Sequence, residues 1–193
     1  MKKTSLTFFL AFIAVVCMKA QTFSVDNLKY TVIDAAAGTV ELTTYRANKP
    51  TGALNVPATV TYGDVDYRVT AIGKDAFWKC DQITELSIPA TVTDIGNVAF
   101  SQCTALAKVT LPEGLTSIGA MAFADCTALE RIVIPESVTS IKFEAFSSCS
   151  SLVEINIPQN VTSISTGMFS YCTSLRQIEL HDRVTAIGNK AFF

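Results

Sequence analysis

Apolar positions in this chain return at a fixed interval of 23 residues. Phe77, Phe100, Phe123, Phe146, Phe169 and Phe192 form one column, Ile72, Ile95, Ile118, Ile141, Ile164 and Ile187 a second, and Cys80, Cys103, Cys126, Cys149 and Cys172 a third. Each full unit reads I-G-x-x-A-F-x-x-C-x-x-L-x-x-I-x-I-P-x-x-V-T-x. Self-similarity at such a period predicts a solenoid, in which each unit buries its apolar face against its neighbours. Within a unit, the alternation around Leu-x-x-Ile-x-Ile, as in Ile155-Asn156-Ile157, predicts a short strand with one buried face, paired in parallel with its copies. Pro89, Pro112, Pro135 and Pro158 end that strand, because proline cannot donate to a ladder; His181 takes the place in the last copy. The V-T-x-I piece predicts a second short strand, and the A-F-x-x-C piece a short helical turn with Ala and Phe pointing inward together.

The segment before the repeats has a different pattern. Leu28–Ile33 and Thr39–Tyr45 are runs rich in β-branched and aromatic residues, separated by Asp34-Ala-Ala-Ala-Gly38, and predict a hairpin. Arg46–Gly52 reads as a loop. Leu54-Asn55-Val56-Pro57 matches the repeat's own strand. From there to the glycine after isoleucine takes sixteen steps, Pro57 to Gly73, against seven from Pro89 to Gly96. The excess around Tyr62–Tyr67 predicts a second hairpin. The first turn of a solenoid has nothing to stack on, so residues 21–68 are expected to be an N-terminal β cap and first strand, with the repeats over 69–193 and the last one incomplete. A ligand pocket using Tyr62 and Tyr67 is the competing reading of this segment.

Residues 1–20 predict a secretory signal: Lys2 and Lys3, an apolar run from Leu6 to Met18 too short to span a bilayer, and Ala20 before Gln21. Lipidation at Cys17 is the alternative, which would tether the mature protein to a membrane. No further transmembrane run follows. Removing the leader leaves 12 basic and 17 acidic residues, a net charge of -5 against -2 for the whole chain. No basic face is evident, so nucleic acid and anionic membrane are poor partners for this chain.

The repeats resemble the leucine-rich repeats of the BspA-like bacterial surface proteins. The carriers are Ala76-Phe77 to Cys80, Ala99-Phe100 to Cys103 and Ala122-Phe123 to Cys126, each followed by the leucine strand and proline. The resemblance covers Leu54 to Phe193. It implies an extracytoplasmic, secreted or cell-surface protein that binds extracellular proteins, often host proteins, as an adhesion-type module. It supplies no binding residue. Departures occur where Lys142 and Ser165 replace the repeat glycine and Met168 replaces the alanine.

Two outward columns of the leucine strand are the candidate protein-binding face: Glu85, Lys108, Arg131, Glu154 and Gln177, and beside them Ser87, Thr110, Val133, Asn156 and Glu179. The site is expected to centre on Arg131 and Val133. The competing reading is a solvated face with Glu85–Lys108 and Arg131–Glu154 pairing across strands. The cysteines recur as a scaffold and are expected to be buried free thiols, since equivalent positions carry parallel Cβ vectors unsuited to a disulfide torsion. No metal or cofactor is expected: the sole histidine, His181, has no Cys or His beside it. The same histidine has no nucleophile to serve, and no phosphate-cradling glycine loop is present, so a binding module is favoured over an enzyme. A structural spacer presenting another domain is a third class. Finally, Ala186–Phe193 opens a sixth unit and stops before its cysteine and strand, so either the polypeptide continues or that end is covered by a partner or by self-association.

Overall fold

The computed structural model describes residues 21–44 and 49–193. The leader with Cys17, the end of the first hairpin at Tyr45, and most of the Arg46–Gly52 loop therefore lie outside the described residues. Fifteen strands follow in order: β1 (Thr22–Val25), β2 (Leu28–Asp34), β3 (Thr39–Thr44), β4 (Gly52–Asn55), β5 (Thr59–Tyr62), β6 (Val65–Ile72), β7 (Ile83–Ser87), β8 (Asp94–Ile95), β9 (Lys108–Thr110), β10 (Ser117–Ile118), β11 (Arg131–Ile132), β12 (Ser140–Ile141), β13 (Glu154–Ile155), β14 (Ser163–Ile164) and β15 (Ala186–Ile187). The leucine strands build one parallel sheet in the order β13-β11-β9-β7-β4. The V-T-x-I strands build a second, β6-β8-β10-β12, extended beyond β6 by β3, β2 and β1, with β5 also on β6. Pairing is in repeat register throughout, as in Ile95↔Ile118, Ile118↔Ile141 and Ile132↔Ile155. A period of 23 residues thus places each side chain beside its own copy.

The predicted hairpins β2–β3 and β5–β6 are present. Asp34 Oδ1 accepts from the Ala36 and Ala37 amides, and Gly38 takes the positive φ that closes the first turn. One strand was not predicted: β1 pairs with β2 across Asp26-Asn27, both at positive φ, a turn chemistry that suits a two-residue hairpin loop. Phe23 on β1 stacks on Tyr62 at 4.4 Å and lies 5.3 Å from Tyr67. The two tyrosines considered for a ligand pocket therefore spend their rings on this cluster, and Tyr67 is buried.

The core runs along the repeats. Phe77, Phe100, Phe123, Phe146 and Phe169 are all at most 1% exposed and stack in file, with centroids 5.1, 5.3, 5.6 and 6.0 Å apart. The Val, Ile and Leu columns close around them. Rings in offset stacks add to the area they bury.

The A-F-x-x-C pieces are not helical turns; no helix occurs among the described residues. Asp75, Lys79, Val98, Gln102, Met121, Asp125, Glu144 and Ser148 all have φ between 54 and 61°. A residue of positive φ at every fourth position reverses the local chain direction, so the amides point alternately inward along the turn and outward to the next coil. Ala76 and Cys80 donate locally, to the Gly73 and Phe77 carbonyls, whereas Asp75, Phe77 and Lys79 donate to Asn97, Ala99 and Ser101. A helix would have kept all these bonds within one unit. The observed turn instead makes a third hydrogen-bonded ladder that ties successive coils.

The glycine after isoleucine has a steric cause. A Cβ built on Gly96 would lie 2.7 Å from the backbone of Gly73 and Lys74, and one on Gly119 would lie 2.5 Å from Asn97 N and Gly96 C. Backbone packs on backbone there. Lys142 carries a Cβ at this place and the sheet survives, with β10 and β12 paired and Lys142 N→Ile118 O at 3.0 Å. Ser165 carries one too, and before its coil the second sheet breaks: β12 does not pair with β14, which joins β15 in a separate two-stranded sheet. Elsewhere the bonds Thr116 N→Thr93 O, Thr139 N→Thr116 O and Gly119 N→Ile95 O recur at 2.8–3.0 Å. Across this seam neither Thr162 nor Ser165 donates its amide to the preceding coil; the Ser165 hydroxyl takes the Ile141 carbonyl instead, at 2.6 Å.

Candidate functional site

The candidate face lies on the outer side of the leucine-strand sheet, and the register sets its columns side by side. Glu85 pairs with Lys108, Lys108 with Arg131, Arg131 with Glu154, and Glu154 makes an isolated bridge to Gln177. All five are exposed, because residues flanking an inward Ile or Leu on a strand must face out. Lys108 Nζ stands 3.6 Å from Glu85 Oε2, and Arg131 Nη1 donates to Glu154 Oε2 at 2.6 Å. All four side chains are more than half exposed, so water screens these pairs and each contributes under about 1 kcal/mol. Their charges remain available to a partner.

In the neighbouring column, Ser87, Thr110 and Glu179 are exposed and Val133 is 76% exposed. Val133 is the exposed apolar side chain of this column, beside the charged one. Asn156 differs from the expectation. Its amide folds back onto the adjacent coil, with Oδ1 accepting from Ile134 N and Nδ2 donating to Ile134 O, each at 2.8 Å. That side chain replaces the ladder bonds that end at Ile155, so it holds the sheet and is half-buried. At the far end of the face, Glu154, Asn156, Gln177 and Glu179 line a shallow recess together with Arg176.

The cysteine column lies in the core. Cys80, Cys103, Cys126, Cys149 and Cys172 are free thiols. Cys103, Cys126, Cys149 and Cys172 each donate S–H to the phenylalanine carbonyl of the preceding coil, Phe77, Phe100, Phe123 and Phe146, at 3.1–3.3 Å. Burial pushes the thiols up, to about 11 for Cys80 and Cys172 and about 12 for Cys103, which keeps them protonated and poor nucleophiles. His181 Nε2 lies 3.0 Å from the Pro158 carbonyl, so the histidine occupies the proline place as a backbone partner. No three His, Cys, Asp or Glu among the described residues stand together as a metal would require.

Three comparisons bear on what this arrangement is. The family model of the BspA type leucine rich repeat region matches residues 70–193 in six copies. A leucine rich cell surface protein from Faecalibacterium prausnitzii A2-165 is 38% identical with a TM-score of 0.80, over 89% of this chain and 46% of that one. A leucine-rich repeat protein from Bacteroides ovatus is 33% identical with a TM-score of 0.68, over 88% of this chain and 50% of that one. The T. pallidum leucine rich repeat protein is 25% identical with a TM-score of 0.66, over 87% and 86%. The chain thus spans about half the length of the first two structures. No curated protein matches it.

Proposed function

Because the chain belongs to the BspA-type leucine-rich-repeat family, we propose that it is an extracytoplasmic module that binds other proteins through the outer face of its leucine-strand sheet. The observation that carries this reading is the exposed Val133 set among Arg131, Glu154 and Lys108 on a rigid, register-locked sheet. A flat, parallel array of side chains on short strands is presented without loop ordering, so little conformational entropy is lost on docking. Mixed charges around an apolar centre favour a protein partner over nucleic acid or an anionic bilayer. Residues 1–20 serve as the secretion signal and residues 21–68 cover the first coil, which places the module outside the cytoplasm, secreted or at the cell surface. The partner is an extracellular or host protein.

The test is direct. The full chain is immobilised and probed with a panel of extracellular matrix and host-surface proteins, alongside Arg131→Glu and Val133→Asp. Loss of binding in both variants at an unchanged melting temperature supports the strand face. Retained binding in both moves the surface elsewhere, and no binding across the panel favours a spacer.

A further inference from the structure

The seam between the fourth and fifth coils creates a recess that the strand-face reading does not use. It has a volume of about 560 Å³ and is lined by Thr139, Lys142, Phe143, Thr162, Ser163 and their neighbours in these two coils and by Ile187 of the sixth, with no carboxylate in its wall. Its cause is local to Ser165, whose hydroxyl takes the Ile141 carbonyl that in the equivalent places of other coils accepts a main-chain amide, whereas Lys142 still donates its amide to Ile118 at 3.0 Å. The separation that follows frees the Thr139 carbonyl and the Thr162 and Ser165 amides from the ladder. Phe143 stands at the rim, 49% exposed, at a position that carries Asn97, Ala120 or Thr166 in other coils.

We propose that this recess binds a neutral oligosaccharide. Three features select that class. The wall offers main-chain donors, a main-chain acceptor and several hydroxyls close together, which match the alternating donors and acceptors of a sugar. The half-exposed ring of Phe143 offers an apolar face against which the C–H face of a pyranose stacks. The volume falls within the range of small-molecule sites, about 300–1,000 Å³. The wall carries one cation and no anion, so it has nothing to hold a cationic ligand.

An inserted peptide strand is excluded by the rest of the seam. The two coils remain bonded on their other sides, through Arg131↔Glu154 and Ile132↔Ile155, and through Glu144 N→Thr166 O at 2.9 Å. The Phe146 and Phe169 rings still stack at 6.0 Å. A strand placed between β12 and β14 needs them about 9.6 Å apart, twice the spacing of paired strands, and the coils cannot separate that far while the other ladders hold.

The experiment uses the full chain with cellotetraose, maltotetraose and chitotetraose as probes, followed by amide chemical shifts and calorimetry. The expected result is binding of at least one tetrasaccharide with shifts at Thr162, Ser163 and Ser165. Phe143→Ala is expected to weaken it about five- to tenfold at an unchanged melting temperature, the loss of one stacking contact. The variant Ser165→Gly removes the hydroxyl that holds the Ile141 carbonyl, closes the seam, protects the Thr162 amide from exchange and abolishes binding. Should that variant fold poorly, Phe143→Ala decides alone. The proposal is overturned if no tetrasaccharide shifts these amides, if Phe143→Ala binds as tightly as the parent, or if only peptides produce the shifts.

Discussion

Alanine at Gly119 should open a second seam in the stack. The added Cβ would lie 2.5 Å from Asn97 N and Gly96 C and 2.7 Å from Gly96 O, all backbone atoms of the preceding coil that cannot rotate aside. The two backbones must therefore shift, and the expected outcome is that these coils part, in contrast to Lys142, which bears a Cβ at the same place and keeps its amide bond to Ile118. Overpacking of this kind costs about 1–3 kcal/mol. Parting also removes Gly119 N→Ile95 O and Thr116 N→Thr93 O, now 2.8 Å each, at about 0.5–1.5 kcal/mol apiece. The sum is about 2–6 kcal/mol, a large share of the roughly 5–15 kcal/mol that holds a domain of this kind folded. Urea denaturation gives the loss, and amide exchange locates it: Thr116 and Gly119 should lose protection while the Phe123 amide, bonded to Ala145 in the turn ladder, keeps it. Gly114→Ala is the control. A Cβ there meets only the Ala90 carbonyl at 3.4 Å, so the change should be neutral or stabilising by up to about 1 kcal/mol through the unfolded chain. If Gly119→Ala costs no more than Gly114→Ala, the steric account of the glycine column is wrong.

Two further outcomes follow from the core. Phe123→Ala removes the middle ring of the stack, 5.3 Å from Phe100 and 5.6 Å from Phe146, and should cost about 3–5 kcal/mol by urea denaturation, with a smaller loss for the terminal, half-exposed Phe192. Stability should also fall at alkaline pH under reducing conditions. Burial raises the thiols, to about 11 for Cys80 and Cys172 and about 12 for Cys103. The folded state therefore keeps protons that the unfolded state releases from about pH 8.5. Their contribution is complete below that pH and is lost as pH rises through the folded values, at up to about 1.4 kcal/mol per pH unit for each thiol. Chemical denaturation between pH 8 and 11 reads this directly, and a Cys103→Ala variant with the same slope as the parent would refute it.

The stack was legible because the period and the pairing are one fact. Residues 23 apart become neighbours, so a column of Phe, Ile or Cys in the sequence becomes a column in the core. The turns were not legible for a related reason. The left-handed positions at 75, 98, 121 and 144 carry Asp, Val, Met and Glu, which share no turn signature. Val98 in particular is β-branched, a type that resists positive φ at a cost of about 1–2 kcal/mol. The conformation is imposed by the bonds each turn makes to the next coil, and no single unit contains both partners. Asn156 misled for the same cause: its place in the strand is outward, and only the end of the ladder at Ile155 draws its amide back onto Ile134.

What a repeat protein can recognise lies where its repetition varies. Identical inward columns are consumed by stacking, so Phe123 and Cys126 have no contact to offer a partner. The outward column changes from Lys108 to Arg131 to Glu154 with the pairing kept at every step, because an outward side chain on a strand carries little of the fold. The glycine column is the instructive exception. It is inward in function although it has no side chain, since its absence of a Cβ lets two backbones meet. Variation there can break the sheet: before Ser165 main-chain groups are left open that the other coils keep paired, although Lys142 keeps its bond to Ile118. The chain thus has two kinds of variable surface, one painted on an unbroken sheet and one made by breaking a sheet. They are chemically distinct, the first charged with an apolar centre, the second uncharged but for Lys142 and rich in hydroxyls. Arg131→Glu and Phe143→Ala should therefore act on different ligands and leave each other's binding unchanged.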